Sequence, residues 1–124
     1  MTPFGERMRK LRAERGITLL EMAEAIGVSA AYLSALEHGK RGRPGWHLIQ
    51  RIIAYFNVIW DEAEEVVRLA RISHPRIVID TAGLSPKATE LANRLADEVS
   101  KLDETALSDM LATLDRRKPR RERP

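Results

Sequence analysis

The sequence contains no cysteine, which excludes disulfide bonds and metal sites built from thiolates. It also lacks a long hydrophobic run, because no segment approaches the roughly 20 apolar residues that span a bilayer. At the start of the chain no basic segment is followed by an apolar run, so no signal peptide is visible. These absences lead us to expect a cytoplasmic protein that does not enter a membrane.

Motifs for catalysis are absent as well. The histidines His38, His47 and His74 show no metal-binding spacing, and the chain has no GxSxG, P-loop or GxGxxG motif. Acidic pairs are abundant, but they lie on helix faces that are expected to be exposed. We therefore expect a protein that is not an enzyme and that requires neither a cofactor nor a metal ion.

Charge is distributed unevenly along the chain. Residues 1–58 carry nine basic and five acidic side chains, whereas residues 59–115 carry six basic and twelve acidic ones. Residues 116–124 are basic again, with six Lys or Arg and one Glu. A basic surface is expected opposite DNA phosphates, and an acidic middle region should face away from DNA.

Two short helices joined by a tight turn are predicted between Thr18 and Gly39. Thr18 and Glu21 have the spacing of a capping box, so a helix should begin just after Thr18. Gly27 is placed to end that helix, and Ser29 can cap the next one, which Gly39 ends. Short capped helices with small residues at the joint indicate a helix-turn-helix rather than a coiled coil. The apolar residues that could close the angle are Ala23, Ile26, Val28, Leu33 and Leu36.

Residues 4–58 resemble the five-helix DNA-binding domain of the lambda-repressor family, which includes Cro-type and Xre-type regulators. Members of this family are transcriptional regulators, mostly homodimers that bind paired DNA half-sites. The resemblance therefore implies an all-α domain that binds double-stranded DNA. It is carried by Leu11, Arg12, residues 16–18, residues 21–23, residues 27–29, residues 32–34, Leu36, Glu37 and residues 39–41.

The resemblance also implies which residues contact DNA. Phosphate contacts are expected at the starts of the second and third helices and in the basic loop after the third, and the outer face of the third helix is expected to read bases. Arg41 could also reach a base edge from the loop. The predicted DNA-binding residues are Thr18, Leu19, Ser29, Ala30, Ala31, Tyr32, Ser34, Ala35, His38, Lys40, Arg41 and Arg43.

Several of these positions depart from the family pattern. Many relatives carry Gln where this chain has Leu19, and polar residues where it has Ala30 and Ala31. Alanine cannot make bidentate hydrogen bonds to bases, although it can touch a thymine methyl group. Recognition could therefore use methyl contacts, a few polar groups and DNA deformability, or direct readout could be weak and helped by paired sites or the basic tail. A third alternative, loss of DNA binding, is opposed by the intact basic loop.

Structural roles are expected for other residues. The resemblance implies a partly buried ion pair between Arg12 and Glu37, which would tie the first helix to the recognition helix and keep both residues from DNA. Trp46 and Trp60 are expected in the core or at its edge. A helix is predicted from about Trp60 to Ile72. The preceding helix is predicted to close the core through Trp46, Ile49, Ile52, Ile53 and Phe56.

The C-terminal part has a different character. Residues 76–80 form a β-branched run that is the one strand candidate, and a lone strand would need a partner such as the same strand of a second subunit. Two amphipathic helices follow, the first after Ser85 and the second after a break near Asp103. They predict an oligomerisation hairpin, although they could instead fold back on the N-terminal domain. The predicted dimer interface comprises Ile77, Val78, Ile79, Leu91, Leu95, Val99, Leu102, Leu107 and Leu111.

The sequence thus predicts an all-α protein with a five-helix lambda-repressor-like DNA-binding domain in residues 1–73 and a helical dimerisation segment in residues 74–115. The latter includes the short strand candidate, and residues 116–124 are predicted to be a disordered basic tail. The expected function is a transcriptional regulator, a repressor, that acts as a homodimer on paired half-sites. The alternative is an antitoxin-type module that binds a toxin through residues 76–114 and autoregulates its operon.

Overall fold

The computed structural model describes residues 1–117, and its regular structure over that range is entirely helical. The chain divides into an N-terminal unit, residues 1–77, and a C-terminal unit, described over residues 78–117. The expected all-α class, with five helices followed by a C-terminal helical segment, is confirmed. The helices are α1 (Pro3–Arg15), α2 (Leu19–Ile26), α3 (Ala30–Glu37), α4 (Trp46–Phe56), α5 (Asp61–Arg71), α6 (Pro86–Glu98) and α7 (Glu104–Arg116), with a 3₁₀ turn at Val99–Lys101.

The core of the N-terminal unit draws side chains from all five of its helices. α1 begins where Thr2 caps it and Pro3 follows, and it buries Phe4, Met8 and Leu11, which recur at helical spacing. Because α1 packs against both α3 and α5, it holds the two ends of the unit together. The other buried apolar residues are Met22, Ala23, Ile26, Leu33, Leu36, Leu48, Ile49, Ile52, Phe56, Val58, Val66, Leu69 and Ala70.

Both tryptophans lie outside this core, which corrects the sequence expectation. Trp46 is 63% exposed, because α4 buries the face that contains Leu48 and Ile49. A helix advances about 100° per residue, so Trp46 lies roughly 100° from the centre of the face formed by Leu48, Ile49, Ile52 and Phe56 and therefore falls beside that face. Trp60 is 81% exposed and precedes α5 with φ 53° and ψ −125°, a backbone conformation that bulky residues rarely adopt.

The strand candidate was also wrong for the described residues. Residues 76–80 have no regular secondary structure, and Val78 is 95% exposed. A strand needs a neighbour to satisfy its backbone groups, and residues 1–117 contain no second strand. The segment is therefore an irregular connection after α5.

The C-terminal unit consists of α6, the 3₁₀ turn and α7. Ser85 accepts a hydrogen bond from the Ala88 backbone N–H, so α6 begins at the predicted cap. Asp103 accepts one from the Ala106 N–H, so α7 begins at a cap within the predicted break. No residue between 78 and 117 is buried. Its exposed apolar side chains are Val78, Ile79, Leu84, Leu91, Val99, Met110, Leu111 and Leu114. α7 ends at Arg116, and residues 118–124 of the predicted basic tail lie outside the described residues.

Candidate nucleic-acid interface

The helices α2 and α3 are separated by a three-residue turn and bend by 107° relative to each other. At the start of α2, Thr18 Oγ1 accepts a hydrogen bond from the Glu21 N–H at 3.1 Å, and the Glu21 carboxylate accepts one from the Thr18 N–H at 3.0 Å. Gly27 ends α2 with φ 80°, and Ser29 Oγ accepts from the Tyr32 N–H at 3.0 Å to begin α3. This bend lies within the 90–120° of helix-turn-helix motifs.

The hydrogen bond from the Thr18 backbone N–H, followed by the one between the two side chains, lowers the pKa of Glu21 from its ordinary value of 4.5. The ionised carboxylate is the better acceptor, and it also lies at the positive end of the α2 dipole. The cap is therefore strongest when Glu21 is charged. Its position at the surface keeps the energetic effect small.

The α3 helix is fixed to α1 by an ion pair. The Arg12 and Glu37 side chains are 10% and 2% exposed, and Arg12 Nη2 donates to Glu37 Oε1 at 3.1 Å. A second contact joins Arg12 Nη1 to Glu37 Oε2, so the pair is bidentate. Because both charges are committed to each other in a buried place, neither side chain is available to contact DNA.

Backbone contacts reinforce the same junction, and the sequence pattern did not reveal them. The Thr2 N–H and hydroxyl both donate to the Glu37 carbonyl oxygen, at 3.0 and 3.2 Å. Gly5 in α1 approaches the same group so closely that a Cβ atom there would lie 2.2 Å from that oxygen. The C-terminal end of α3 is therefore held to α1 in three ways: through the Glu37 carboxylate, through the Glu37 carbonyl oxygen and through the close approach of Gly5.

Two further contacts join distant parts of the N-terminal unit. The Phe4 N–H donates to the buried Ser73 hydroxyl at 2.8 Å, and this hydroxyl donates to the Leu69 carbonyl at 2.5 Å. Arg51 donates to the Ile26 carbonyl at 2.8 Å and so satisfies the end of α2. No local signal identifies such pairs, because Phe4 and Ser73 are 69 residues apart.

The predicted DNA-binding residues divide into two groups by exposure. Leu19, Ala30 and Tyr32 pack partly against the core, so only part of each side chain faces outward. Ser34 and Ala35 are also half-buried. The fully exposed members are Thr18, Ser29, Ala31, His38, Lys40, Arg41 and Arg43.

The loop after α3 is basic and follows a fixed turn. Gly39 adopts φ 76°, and the Lys40 N–H donates to the Ala35 carbonyl at 2.9 Å. Within residues 1–117, none of the loop cations forms an ion pair with a carboxylate. Arg41 instead lies over the ring of Tyr32, with Cζ 5.8 Å from the ring centroid. Three cations, at positions 40, 41 and 43, therefore remain available next to α3.

Residues 1–117 hold no group of three or more His, Asp or Glu side chains that could bind a metal ion. No single helix among them is long and apolar enough to cross a bilayer.

Comparison with known proteins identifies the arrangement. A helix-turn-helix domain family matches residues 3–66. The HTH-type transcriptional regulator DdrOP3 of Deinococcus deserti is 33% identical over 119 residues, which cover 96% of this chain and 83% of the relative. The chain belongs to the helix-turn-helix family of DNA-binding transcriptional regulators. The resemblance inferred from the sequence is thereby confirmed.

Other helix-turn-helix regulators match a shorter part of the chain. RghRB of Bacillus subtilis is 38% identical over 61 residues, 49% of this chain and 44% of the relative. The transcriptional repressor RghR of the same organism is 52% identical over 44 residues, 36% of this chain and 33% of the relative. The chain thus spans less than half the length of these two relatives. A solved complex of SinR protein and SinI protein aligns with 80% of this chain and 99% of its own, with 24% identity and a TM-score of 0.41.

Proposed function

We propose that this helix-turn-helix regulator is a sequence-specific transcriptional repressor that binds paired DNA half-sites as a homodimer. The observation that carries the proposal is the outer surface formed by α3 and the loop after it. α3 stands at 107° to α2, and three cations without carboxylate partners in residues 1–117 flank its C-terminal end. A helix in this setting can enter the major groove while the loop meets the phosphates.

The roles of individual residues follow from their exposure. Ala31 is exposed in the first turn of α3, where it can contact a thymine methyl group. Lys40 and Arg43 extend from the loop and are assigned to phosphates. Thr18 lies at the start of α2, whose free backbone N–H groups can meet another phosphate. With so many alanines on α3, DNA deformability adds to the direct contacts.

The C-terminal unit is assigned to dimerisation. Of the predicted interface residues, Leu95, Leu102 and Leu107 are half-buried within the unit, which leaves the others for a second subunit. Exposed leucines that recur along α6 and α7 are costly to leave in water. The exposed interface residues are Ile77, Val78, Ile79, Leu91, Val99 and Leu111. A symmetric dimer would set two α3 helices about 34 Å apart on one face of the duplex.

The relatives favour this reading over the antitoxin alternative, because their names describe transcriptional regulators and, for RghR, a repressor. Such a protein acts by occupying DNA and needs no catalytic site. We expect it to work in the cytoplasm, where its DNA ligand lies.

DNA binding is tested by fluorescence anisotropy on duplexes selected from a random pool, at several salt concentrations. The double variant Lys40→Ala/Arg43→Ala should bind all DNA more weakly, and its salt slope should fall by about 0.9 for each lost phosphate contact. Arg94→Ala, which removes a cation from the exposed face of α6, is the control and should leave the slope unchanged. An unchanged slope in the double variant would refute the loop assignment, and no binding by the wild type at low salt would refute the function.

Dimerisation is tested by sedimentation of the full chain. The wild type should sediment as a dimer, and Leu111→Asp should shift it to the monomer, because a charge would replace a leucine that is 61% exposed in the isolated chain. Leu20→Asp, at a leucine of similar exposure in α2, is the matched control and should remain dimeric. A monomeric wild type, or a dimeric Leu111→Asp, would refute the interface.

A further inference from the structure

Few side chains on the outer face of α3 can identify a purine base. Ala30, Ala31 and Ala35 carry no donor or acceptor beyond the backbone. Alanine can touch a thymine methyl group, but it cannot hydrogen-bond the edge of guanine or adenine. The polar side chains within this helix, Tyr32 and Ser34, are half-buried, so a bidentate contact to a purine would come most readily from a neighbouring segment.

Arg41 is held beside α3 by its backbone and by its side chain. The left-handed turn at Gly39 and the 2.9 Å hydrogen bond from the Lys40 N–H to Ala35 fix the direction in which the loop leaves the helix. The Arg41 Cζ atom lies 5.8 Å from the centroid of the Tyr32 ring, within the range of a cation–π contact. Tyr32 packs partly against the core, so its ring is a fixed platform.

A guanidinium group in cation–π contact with a ring keeps N–H donors free for other partners, because the contact uses its charge and not its hydrogen bonds. Arg41 also forms no ion pair with a carboxylate within residues 1–117. Two parallel N–H donors match the O6 and N7 acceptors of guanine in the major groove. Within residues 1–117, Lys40 and Arg43 form no cation–π contact. Their side chains are not oriented in this way, which suits them to phosphate contacts, whose geometry is less directional than that of base contacts.

We propose that Arg41, oriented by the Tyr32 ring, reads one guanine in each half-site and is the main purine-reading residue of this protein. This rests on the proposed function, namely that α3 and its loop bind DNA. It goes further by dividing the loop into one base-reading residue and two phosphate-binding ones, and by assigning Tyr32 a positioning role.

The test begins with duplexes that the wild-type protein selects from a random pool and with copies in which each guanine is replaced in turn. Arg41→Ala should weaken binding to the selected duplex by about tenfold to a hundredfold for each half-site, the contribution of one bidentate pair. It should have little effect on a duplex in which the guanine in question is replaced in both half-sites. Arg43→Ala, with the same change of charge, is the matched control and should weaken both by one common factor.

Variants at the platform separate orientation from charge. Tyr32→Phe keeps the ring and should keep the guanine preference. Tyr32→Leu removes the ring and should lose the guanine preference, as Arg41→Ala does. The double variant Tyr32→Leu/Arg41→Ala should lose little more of the preference than either single variant. Arg41→Lys keeps the charge without the planar fork, so it should also lose the preference while its salt slope stays close to that of the wild type. Thermal melting followed by circular dichroism checks that each variant is folded.

Several outcomes would overturn the proposal while leaving the proposed function intact. These are selected sites without a guanine, equal weakening of both duplexes by Arg41→Ala, or full guanine preference in a folded Tyr32→Leu protein. Absence of DNA binding by the wild type at low ionic strength would instead refute the proposed function itself. The two failures are therefore distinguishable in one set of measurements.

Discussion

In the N-terminal unit, sixteen apolar side chains are buried, fifteen of them from the five helices, whereas no side chain between residues 78 and 117 is. The contrast is sharpest between α1 and α6, which both contain 13 residues and begin with a hydroxyl cap followed by proline. α1 buries a face against α3 and α5, but α6 buries none. Local signals therefore decide where a helix begins, whereas packing against other helices supplies most of its stability.

The largest expected effect comes from separating the two units. A fragment of residues 1–77 should melt cooperatively, because it keeps the whole core, and it should be a monomer. Its affinity for a paired operator should fall by about 10²–10⁴-fold, since the second half-site no longer gains from linkage. Calorimetry, sedimentation and anisotropy measure the three properties. A dimeric fragment would show that the N-terminal unit carries the interface.

The next comparison sets a buried ion pair against an exposed one. Glu37→Ala leaves the Arg12 guanidinium buried without its partner, so the free energy of unfolding should fall by about 3–5 kcal/mol. Glu98→Ala breaks a pair with Arg94 whose side chains are 45% and 64% exposed, and because solvent screens this pair the loss of stability should be much smaller. Urea denaturation of both variants gives the two values. Equal losses would contradict the difference in burial.

A smaller effect is expected where α1 approaches α3. Gly5→Ala would set a methyl group against the Glu37 carbonyl, and relief of that clash should cost about 1–3 kcal/mol despite the higher helix propensity of alanine. Gly42→Ala, at a glycine with open space around it, should change stability little. Urea midpoints measure both changes. A stable Gly5→Ala protein would mean that the two helices can move apart freely.

The smallest expected effect concerns pH. Because the pKa of Glu21 is lowered in the folded protein, its cap stabilises the N-terminal unit above the ordinary value of 4.5 and is lost as the pH falls through the lowered one. When the melting temperature is plotted against pH, Glu21→Gln should flatten the plot in this pH range. Glu24→Gln, at another exposed glutamate of α2, is the control and should keep the wild-type profile. Identical pH profiles of stability for the wild type and both variants would show that the Glu21 cap does not contribute to the pH dependence.

Features that depend on neighbours in sequence could be predicted. The predicted caps at Thr18, Ser29 and Ser85 each use a side chain three residues before the N–H that it binds, and all three are found. The predicted break near Asp103 is found as well, and there Asp103 itself caps the next helix in the same way. The turn at Gly27 requires a left-handed residue, which the sequence also signals. The helix-turn-helix was therefore predictable from short-range chemistry and from the family resemblance together.

Features that depend on tertiary packing could not be predicted. Periodicity places Trp46 near an apolar stripe, but only the packing of α4 shows that the buried face starts at Leu48. The β-branched run at 76–80 has strand propensity without a strand to pair with. The contact between Thr2 and Glu37 and the cation–π contact between Arg41 and Tyr32 join segments that no local rule connects.

The division of the chain also determines what spectroscopy can see. Both tryptophans, both tyrosines and both phenylalanines lie within residues 1–60. Near-ultraviolet absorbance and intrinsic fluorescence therefore report on the N-terminal unit alone, and a fragment of residues 78–124 would have almost no absorbance at 280 nm. Association through α6 and α7 alone would not change those signals. It has to be followed by sedimentation, by light scattering or by a dye attached to the C-terminal unit.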